Sequence, residues 1–497
     1  MTLLWLLKGN VITQFQLTEM RESPMTENDP LRFATTTGAT GVAEVPPVEE
    51  VSQGIDMIYG LHAKPPLRET IAAALQHVLA AFVNIIAPAL VVGNAIGLEA
   101  TDISFLISMS LFISGIATFI QVHQVGPVGS GLLSIQGTSF AFVGTLVTVG
   151  TAAVDGGRSP TQTLAYLLTI CMLGAFVEII LSFFVEPLKK VMTPLGSGSV
   201  VVMIGLSLIR VAITAMGGGP AAIAADTFAT PQNLMVSLLV LTVIVVLNCT
   251  RSAFLRMSAI LIGLVVGYLV AWPLGMLNFS GLSQLPYVTV PIPFRYGFGF
   301  GFAGFIPLAF LYVITTIESI GDLTATSMLV GEPIEGQTYL KRVKGGILGD
   351  GVNSLIAACF NTFPNTTFSQ NNGVIQLTGV GSRYIGYFIA GFLFLLGLFP
   401  IIGGLFQAMP QPVLGGATLL MFSSVVTAGI KILHGVNQSS RNTLILIVSM
   451  GLGMGVAFVP DILANTPYLV RGVFSSGIAT GGMTALVLNM VIPGKRE

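Results

Sequence analysis

Residues 363–379 read FPNTTFSQNNGVIQLTG, and seven of the first ten side chains in this stretch carry a hydroxyl or an amide. The chain on either side is apolar: GVNSLIAACF (351–360) precedes it and YFIAGFLFLLGLF (387–399) follows. A proline removes a backbone donor, and β-branched threonines favour extended backbone over helix. The spacing therefore predicts an extended piece followed by a short helix, placed where a continuous apolar span would otherwise run. A second polar interruption, SIQGTSFAFV (134–143), offers a matching extended piece. Irregular backbone at membrane depth is tolerated only when buried in protein or lining a cavity. Two such pieces can pair antiparallel and satisfy each other's amides. The short helices that follow would then aim their positive dipole ends at a shared central pocket.

The setting of these two stretches is lipid. Of 497 residues, 53% are hydrophobic and only 9% charged, with a mean hydropathy of +0.86, where a soluble chain carries about 25% charged residues. A net charge of -1 argues against a nucleic-acid partner. The 58 glycines suit close helix approach and broken helices. Cys171, Cys249 and Cys359 are widely spaced in apolar runs and are expected to be small buried hydrophobes. Four histidines without paired spacing make no zinc motif, so neither metal nor cofactor is expected. Residues 1–64, rich in Thr, Glu and Pro, are expected to form a disordered tail. LLWLL near the start is too short to span and lacks a cleavage site, and Met25 offers a second start.

Apolar windows of about 17–25 residues, the length that crosses hydrocarbon, recur from residue 71. They fall near 71–92, 103–121, 128–150, 163–185, 194–214, 234–250 and 257–275, then 305–329, 341–362, 366–379, 384–404, 411–432, 441–459 and 473–492. That predicts an all-α polytopic membrane protein of about 14 segments, with short antiparallel β-pieces in segments 3 and 10. With both termini on one side, the short loops of that side hold Lys189, Lys190, Arg251, Arg256, Lys341, Arg342, Lys344, Arg383, Lys431 and Arg441. The other side holds only Arg158, Arg295 and Arg471, with Arg210 near a helix end. The bias assigns the first side, and the termini, to the cytoplasm.

The polar segments are third of the first seven and third of the second seven, and each sets small hydroxyl residues before a phenylalanine, Phe140 and Phe368. Two ranks later, TPLGSGSVVVMIGLSL (193–208) and PQPVLGGATLLMFSSV (410–425) both put proline ahead of a glycine-bearing apolar helix. Seven is odd, so a duplicated half must enter the membrane from the opposite side. Inverted repeats with interrupted helices at matching ranks point to a midplane site in a secondary transporter.

Ionisable groups inside spans cost about 2.5–3.5 kcal/mol each on insertion scales and mark substrate or proton paths. Glu318 and Asp322 in TTIESIGDLTATS lie four apart, on one helix face, and Asp350 stands in GGILGDGVNS. Two carboxyls so close in a dry site cannot readily ionise together, which suits a proton-coupled carrier. His77 lies about two turns into the first span, whereas Glu178 near the end of the fourth is expected at an interface or snorkelling. Gln370 and Asn371 are adjacent and point in different directions, so one can face a pocket while the other ties backbone. A glutamine donor–acceptor pair matches the edge of a lactam or purine, and Phe140 can stack on a flat ring.

These residues resemble the nucleobase–ascorbate transporter family (nucleobase:cation symporter-2 type), and within it the bacterial xanthine permeases. QNNGVIQLTG (370–379) meets the family signature of Gln, Glu or Pro, then Asn, any residue, Gly, four of any, Thr, and Arg, Lys or Gly. The match extends over LQHVLAAFV, VGSGLLSIQGTSFAFV, ESIGDLTATS, KGGILGDGVNS, FNTFPN, PVLGGATLLMF and SSGIATGGMTALVLN. The resemblance implies fourteen segments in two inverted repeats of seven. A core domain would be formed by 65–190 and 301–405, and a gate domain that mediates homodimers by 191–300 and 406–497. It implies that the core slides against the gate in elevator fashion, in a bacterial inner membrane. By position, Glu318 and Gln370 would hold the base, with amides around Ser139 and Phe140 completing its hydrogen bonds. Asn371 would affect selectivity. Asp350 and His77 match positions tied to coupling and core organisation, and Asp322 one linked to proton handling. Glutamine at 370 favours purines, since uracil carriers tend to have glutamate there.

The expected activity is proton-coupled uptake of xanthine, uric acid or a related oxopurine, with uracil or another nucleobase as the alternative. An ascorbate or anion carrier on the same fold would want a basic group or a sodium site among the spans. A channel would want a continuous polar stripe, and an enzyme a nucleophile elbow, metal cluster or cofactor fingerprint. The sequence shows none of these.

Overall fold

The computed structural model describes residues 57–493 except 186–193, 278, 280–284, 369, 438, 464, 467–473, 475 and 476. The tail as far as residue 56, with Lys189, Lys190 and Arg471, lies outside the described residues. The first half comprises α1 (Leu67–Ala95), α2 (Ala100–His123), strand β1 (Gln136–Thr138) and α3 (Val143–Asp155), which a 3-10 turn (Phe140–Phe142) precedes. There follow α4 (Pro160–Leu181), α5 (Pro194–Met216), α6 (Pro231–Asn248) and α7 (Ala259–Ala271). The second half comprises α8 (Phe302–Leu329), α9 (Gly336–Cys359), β2 (Asn365–Thr367), α10 (Gln370–Thr378), α11 (Arg383–Leu398), α12 (Pro400–Gln407), α13 (Gln411–His434), α14 (Ser440–Phe458) and α15 (Gly477–Val491). Each apolar window expected from the sequence coincides with one of these elements. Among the described residues, eight helices are long and apolar enough to cross a membrane, or nine if one bent pair counts as a span.

That bent pair occupies 384–404, expected from the sequence as one apolar segment. Its two helices, α11 and α12, meet at 77°. Phe399 is extended (φ -104, ψ 96) and Pro400 opens the next helix without an amide hydrogen, so no helical bond can bridge the break. The last residues of the expected tail, 57–64, are among the described ones. Ile58 N donates to Gly379 O, Gly381 N to Tyr59 O and Arg383 N to Leu61 O, so residues 58–61 are laced to the α10–α11 connection. Of the three cysteines only Cys171 is buried, and Cys249, at the end of α6, is exposed.

The inverted repeat is visible in what packs on what. Helix α2 lies on α11 as α9 lies on α4, and α1 lies on α11 as α8 lies on α4. Likewise α6 pairs with α7 as α14 does with α15, and α1 meets α3 as α8 meets α10. Two contacts map onto themselves, α5 against α13 and β1 against β2. Close approach there needs glycine. A Cβ on Gly115 of α2 would stand 2.6 Å from the backbone of Phe394 in α11, and one on Gly205 of α5 2.6 Å from that of Val426 in α13.

Strands β1 and β2 pair antiparallel, Gln136 with Thr367, Gly137 with Thr366 and Thr138 with Asn365. This register relates Gln136 to Asn365 and therefore Phe140 to residue 369. The sequence comparison of Phe140 with Phe368 was one residue out of step, and in a strand one residue exchanges the faces. Accordingly Phe368 is buried over Gly137, where a Cβ would stand 2.5 Å from its ring, while Phe140 is only half buried.

Candidate functional site

The strand pair crosses the interior, and each strand runs directly into a short helix. Ser139 N donates to Pro364 O (2.8 Å) and Phe368 N to Ile135 O (2.9 Å), which extends the ladder one step at each end. The Ser139 amide is thus committed to the sheet. Phe140 opens the 3-10 turn, and amides of a first turn have no intrahelical acceptor. Of the two groups expected from the sequence to meet a ligand here, the amide at 140 is the one the ladder leaves.

Behind the strands, Asp350 of α9 gathers four side chains from two helices and two strands. Gln121 (3.0 Å) and Gln136 (2.8 Å) donate through their amides to Oδ1, and Ser319 Oγ donates to Oδ2 (2.5 Å). Thr367 Oγ1 lies 3.2 Å from Oδ1 and 3.3 Å from Oδ2. Gln136 also donates to Thr367 Oγ1 (2.9 Å), and its own oxygen accepts from Asn353 (3.4 Å). The carboxyl is fully buried and ties β1 to β2, α2 and α8. The sequence marked Asp350 but not its partners, which lie up to 229 residues away.

Glu318 and Asp322 project from α8 beside α10. Thr326 Oγ1 donates to Asn372 Oδ1 (2.7 Å), and Asn372 Nδ2 donates to the Asp322 carbonyl (3.3 Å). Seven residues earlier on α8, Ser319 Oγ is 3.3 Å from Thr366 Oγ1 of β2. Residues 319 to 326 thus run alongside 366 to 372 in the same direction, which sets Glu318, the residue before Ser319, at the level of β2. Gln370 is the first residue of α10, but its side chain lies outside the described residues. Among the described residues, Asp322 Oδ2 is buried without a hydrogen-bond partner.

Asn371 turns the other way. Its Nδ2 lies 2.9 Å from His77 Nδ1 and 3.4 Å from the His77 carbonyl, so it binds α10 to α1. Both residues are buried. If the pair acts as one unit, the uptake losses of His77→Ala and Asn371→Ala will not add, with a double-mutant coupling of about 0.5–3 kcal/mol. Additive losses would assign the two residues separate roles. Glu178, expected at an interface or snorkelling, is 1% exposed and packs against Gly351, and among the described residues its Oε1 has no hydrogen-bond partner.

A cleft of about 680 Å³ opens between α1 and α3 on one side and α5, α13, α14 and α15 on the other. Gly144 and Thr418 line it, each four residues from a member of the Phe140–Phe422 pair. Those rings meet edge to face with centroids 5.5 Å apart, closing the contact between the first half-helix and α13. Phe140, expected to stack on a flat ligand, is here occupied by Phe422.

Two strand-capped half-helices crossing inside an inverted repeat, beside buried carboxyls and a cleft, define the class of multi-pass membrane carriers. The BicA transmembrane domain, from a cyanobacterial bicarbonate transporter, shares this fold: TM-score 0.54 at 16% identity, over 82% of this chain and 99% of that one. The chain belongs to the Permease family described by the Xan_ur_permease model, the nucleobase–ascorbate transporter family, which matches residues 68–462. The Escherichia coli xanthine permease XanP is 46% identical over 447 residues, 90% of this chain and 96% of XanP. The E. coli xanthine permease XanQ is 46% identical over 441 residues, 89% of this chain and 95% of XanQ.

Proposed function

We propose that the protein is a proton-coupled symporter that imports xanthine, or a related oxopurine such as uric acid, across a bacterial inner membrane. One observation carries the reading: Glu318 lies at the level of β2, next to Ser319, whose hydroxyl is 3.3 Å from Thr366 Oγ1 of that strand. The Glu318 carboxyl and the Gln370 amide hold the edge of the base, with Ser139 and the Phe140 amide opposite. Phe140 leaves Phe422 to stack on the ring as the cleft admits it. A proton arriving at Glu318, directly or through Asp322, neutralises the site before the loaded core crosses. Asp350 and the His77–Asn371 pair hold the half-helices in place for that step.

Segments 1–4 and 8–11 act as the moving core, with 5–7 and 12–14 as a dimeric gate, and both termini face the cytoplasm. The paired packing of α5 with α13 supports the gate assignment, since a fixed partner needs a close interface. The E. coli relatives' names support xanthine as cargo.

Uptake of radiolabelled xanthine, uric acid, guanine and uracil, with and without a protonophore, tests this reading. Xanthine accumulation abolished by the protonophore is the expected result. Selective uracil uptake would move the protein to another nucleobase, and protonophore-insensitive accumulation would remove the proton from the cycle.

A further inference from the structure

The sequence places few arginines on the face opposite the cytoplasm, and the fold brings two of them together. A pocket of about 570 Å³ at the start of α4 is lined by Arg158, Thr161, Gln162, Arg295, Tyr296 and Gly299. The Arg158 guanidinium lies 4.3 Å from the centre of the Tyr166 ring, and that of Arg295 lies 4.3 Å from Phe105. Asp102 faces Arg295 at 3.8 Å, but it already accepts from the Tyr296 hydroxyl at 2.7 Å. Burial first, and the Asp102 bond second, push the Tyr296 phenol pKa up, so it stays neutral. No carboxylate lies within ion-pair distance of Arg158 among the described residues. Two arginines against one carboxylate leave the pocket with a net charge of +1.

The segment that forms one wall, FRYGFGFGF (294–302), is fixed and apolar outwards. Phe294 N donates to Cys359 O at the end of α9, and Gly299 N donates to Thr169 Oγ1 of α4. Phe298, Phe300 and Phe302 remain 64%, 55% and 56% exposed. Exposed apolar rings beside membrane-spanning helices pack against acyl chains rather than water. Planar guanidinium forks match phosphate oxygens in bidentate geometry.

We propose that this pocket is a phospholipid site. The headgroup phosphodiester of a lipid in the leaflet facing the α3–α4 and α7–α8 connections docks between Arg158 and Arg295. Its acyl chains lie over Phe298, Phe300 and Phe302. A soluble anion would use the arginines but gain nothing from three exposed phenylalanines, and this asymmetry selects the lipid.

Native mass spectrometry of the full-length protein titrated with phosphatidylglycerol tests the site without reference to transport. The inference therefore stands or falls independently of the xanthine reading. Arg158→Ala and Arg295→Ala should each weaken lipid retention by roughly tenfold, the loss of one charged hydrogen bond. Arg158→Lys/Arg295→Lys, which keeps the charge but loses the fork, should fall between, and Phe298→Ser/Phe300→Ser should shorten lipid residence. Size-exclusion elution at the wild-type position shows that each variant is folded. Unchanged retention in the double alanine variant would overturn the proposal. So would displacement of the lipid by millimolar inorganic phosphate together with indifference to the phenylalanine changes, which would mark a soluble-anion site.

Discussion

Glu318→Gln is expected to abolish uphill uptake of xanthine while leaving the protein folded. The side chain sits on α8, at the level of β2, and the adjacent Ser319 is held by Asp350. Glutamine is nearly isosteric, so the hydrogen-bonding edge offered to a base survives. What it cannot do is take up and release a proton. One charge crossing 100 mV releases about 2.3 kcal/mol, or roughly fifty-fold accumulation at 1.4 kcal/mol per decade. The wild type should approach that ratio in energised vesicles, and the variant should not exceed equality between inside and outside. Counterflow exchange of labelled for unlabelled xanthine should persist in the variant. Undiminished accumulation by Glu318→Gln would show that the proton travels on another group.

The elements behind this prediction were legible to different depths. Apolar windows located every segment because crossing lipid fixes a length, and the half-helices announced themselves through PNTTFSQNN and SIQGTS. Strand register was not legible: side-chain types suggested Phe140 with Phe368, but the pairing is set by backbone bonds such as Ser139 to Pro364. The facing of Glu178 was hidden for a related reason. Helix α4 is apolar on all sides, so no periodicity says which face is inward. Gln370 and Asn371 were recognised as diverging, yet which of them meets α1 depends on where the helix begins. The partners of Asp350 were legible only as isolated polar residues, because Gln121 and Gln136 reach it from the other half of the chain.

Asp350→Asn should fail in a different way, losing both transport and stability. The carboxylate accepts from Gln121, Gln136, Ser319 and Thr367 in a fully buried site. The serine and threonine hydroxyls can rotate to new acceptors. Both glutamine amides meet Oδ1 and keep an acceptor in asparagine, but every bond loses its charge assistance, and the new NH₂ at the Oδ2 position is crowded against Ser319 Oγ and Thr367 Oγ1. A hydrogen bond to a charged group contributes about 1.5–3 kcal/mol against about 1 kcal/mol for a neutral one, so the four bonds together lose roughly 3–5 kcal/mol. The apparent melting temperature in detergent should therefore fall by about 3–5 °C, since unfolding entropy of about 2.1 cal/mol/K per residue over 497 residues gives roughly 1 °C per kcal/mol. Because the same carboxyl joins β1 to β2, the half-helices lose their alignment and exchange is lost along with accumulation. Glu318→Gln, by contrast, leaves the melting temperature and exchange near wild type. If Asp350→Asn instead melts like the wild type and loses accumulation alone, Asp350 is a proton carrier, and the crossing of the strands must be held by their backbone ladder.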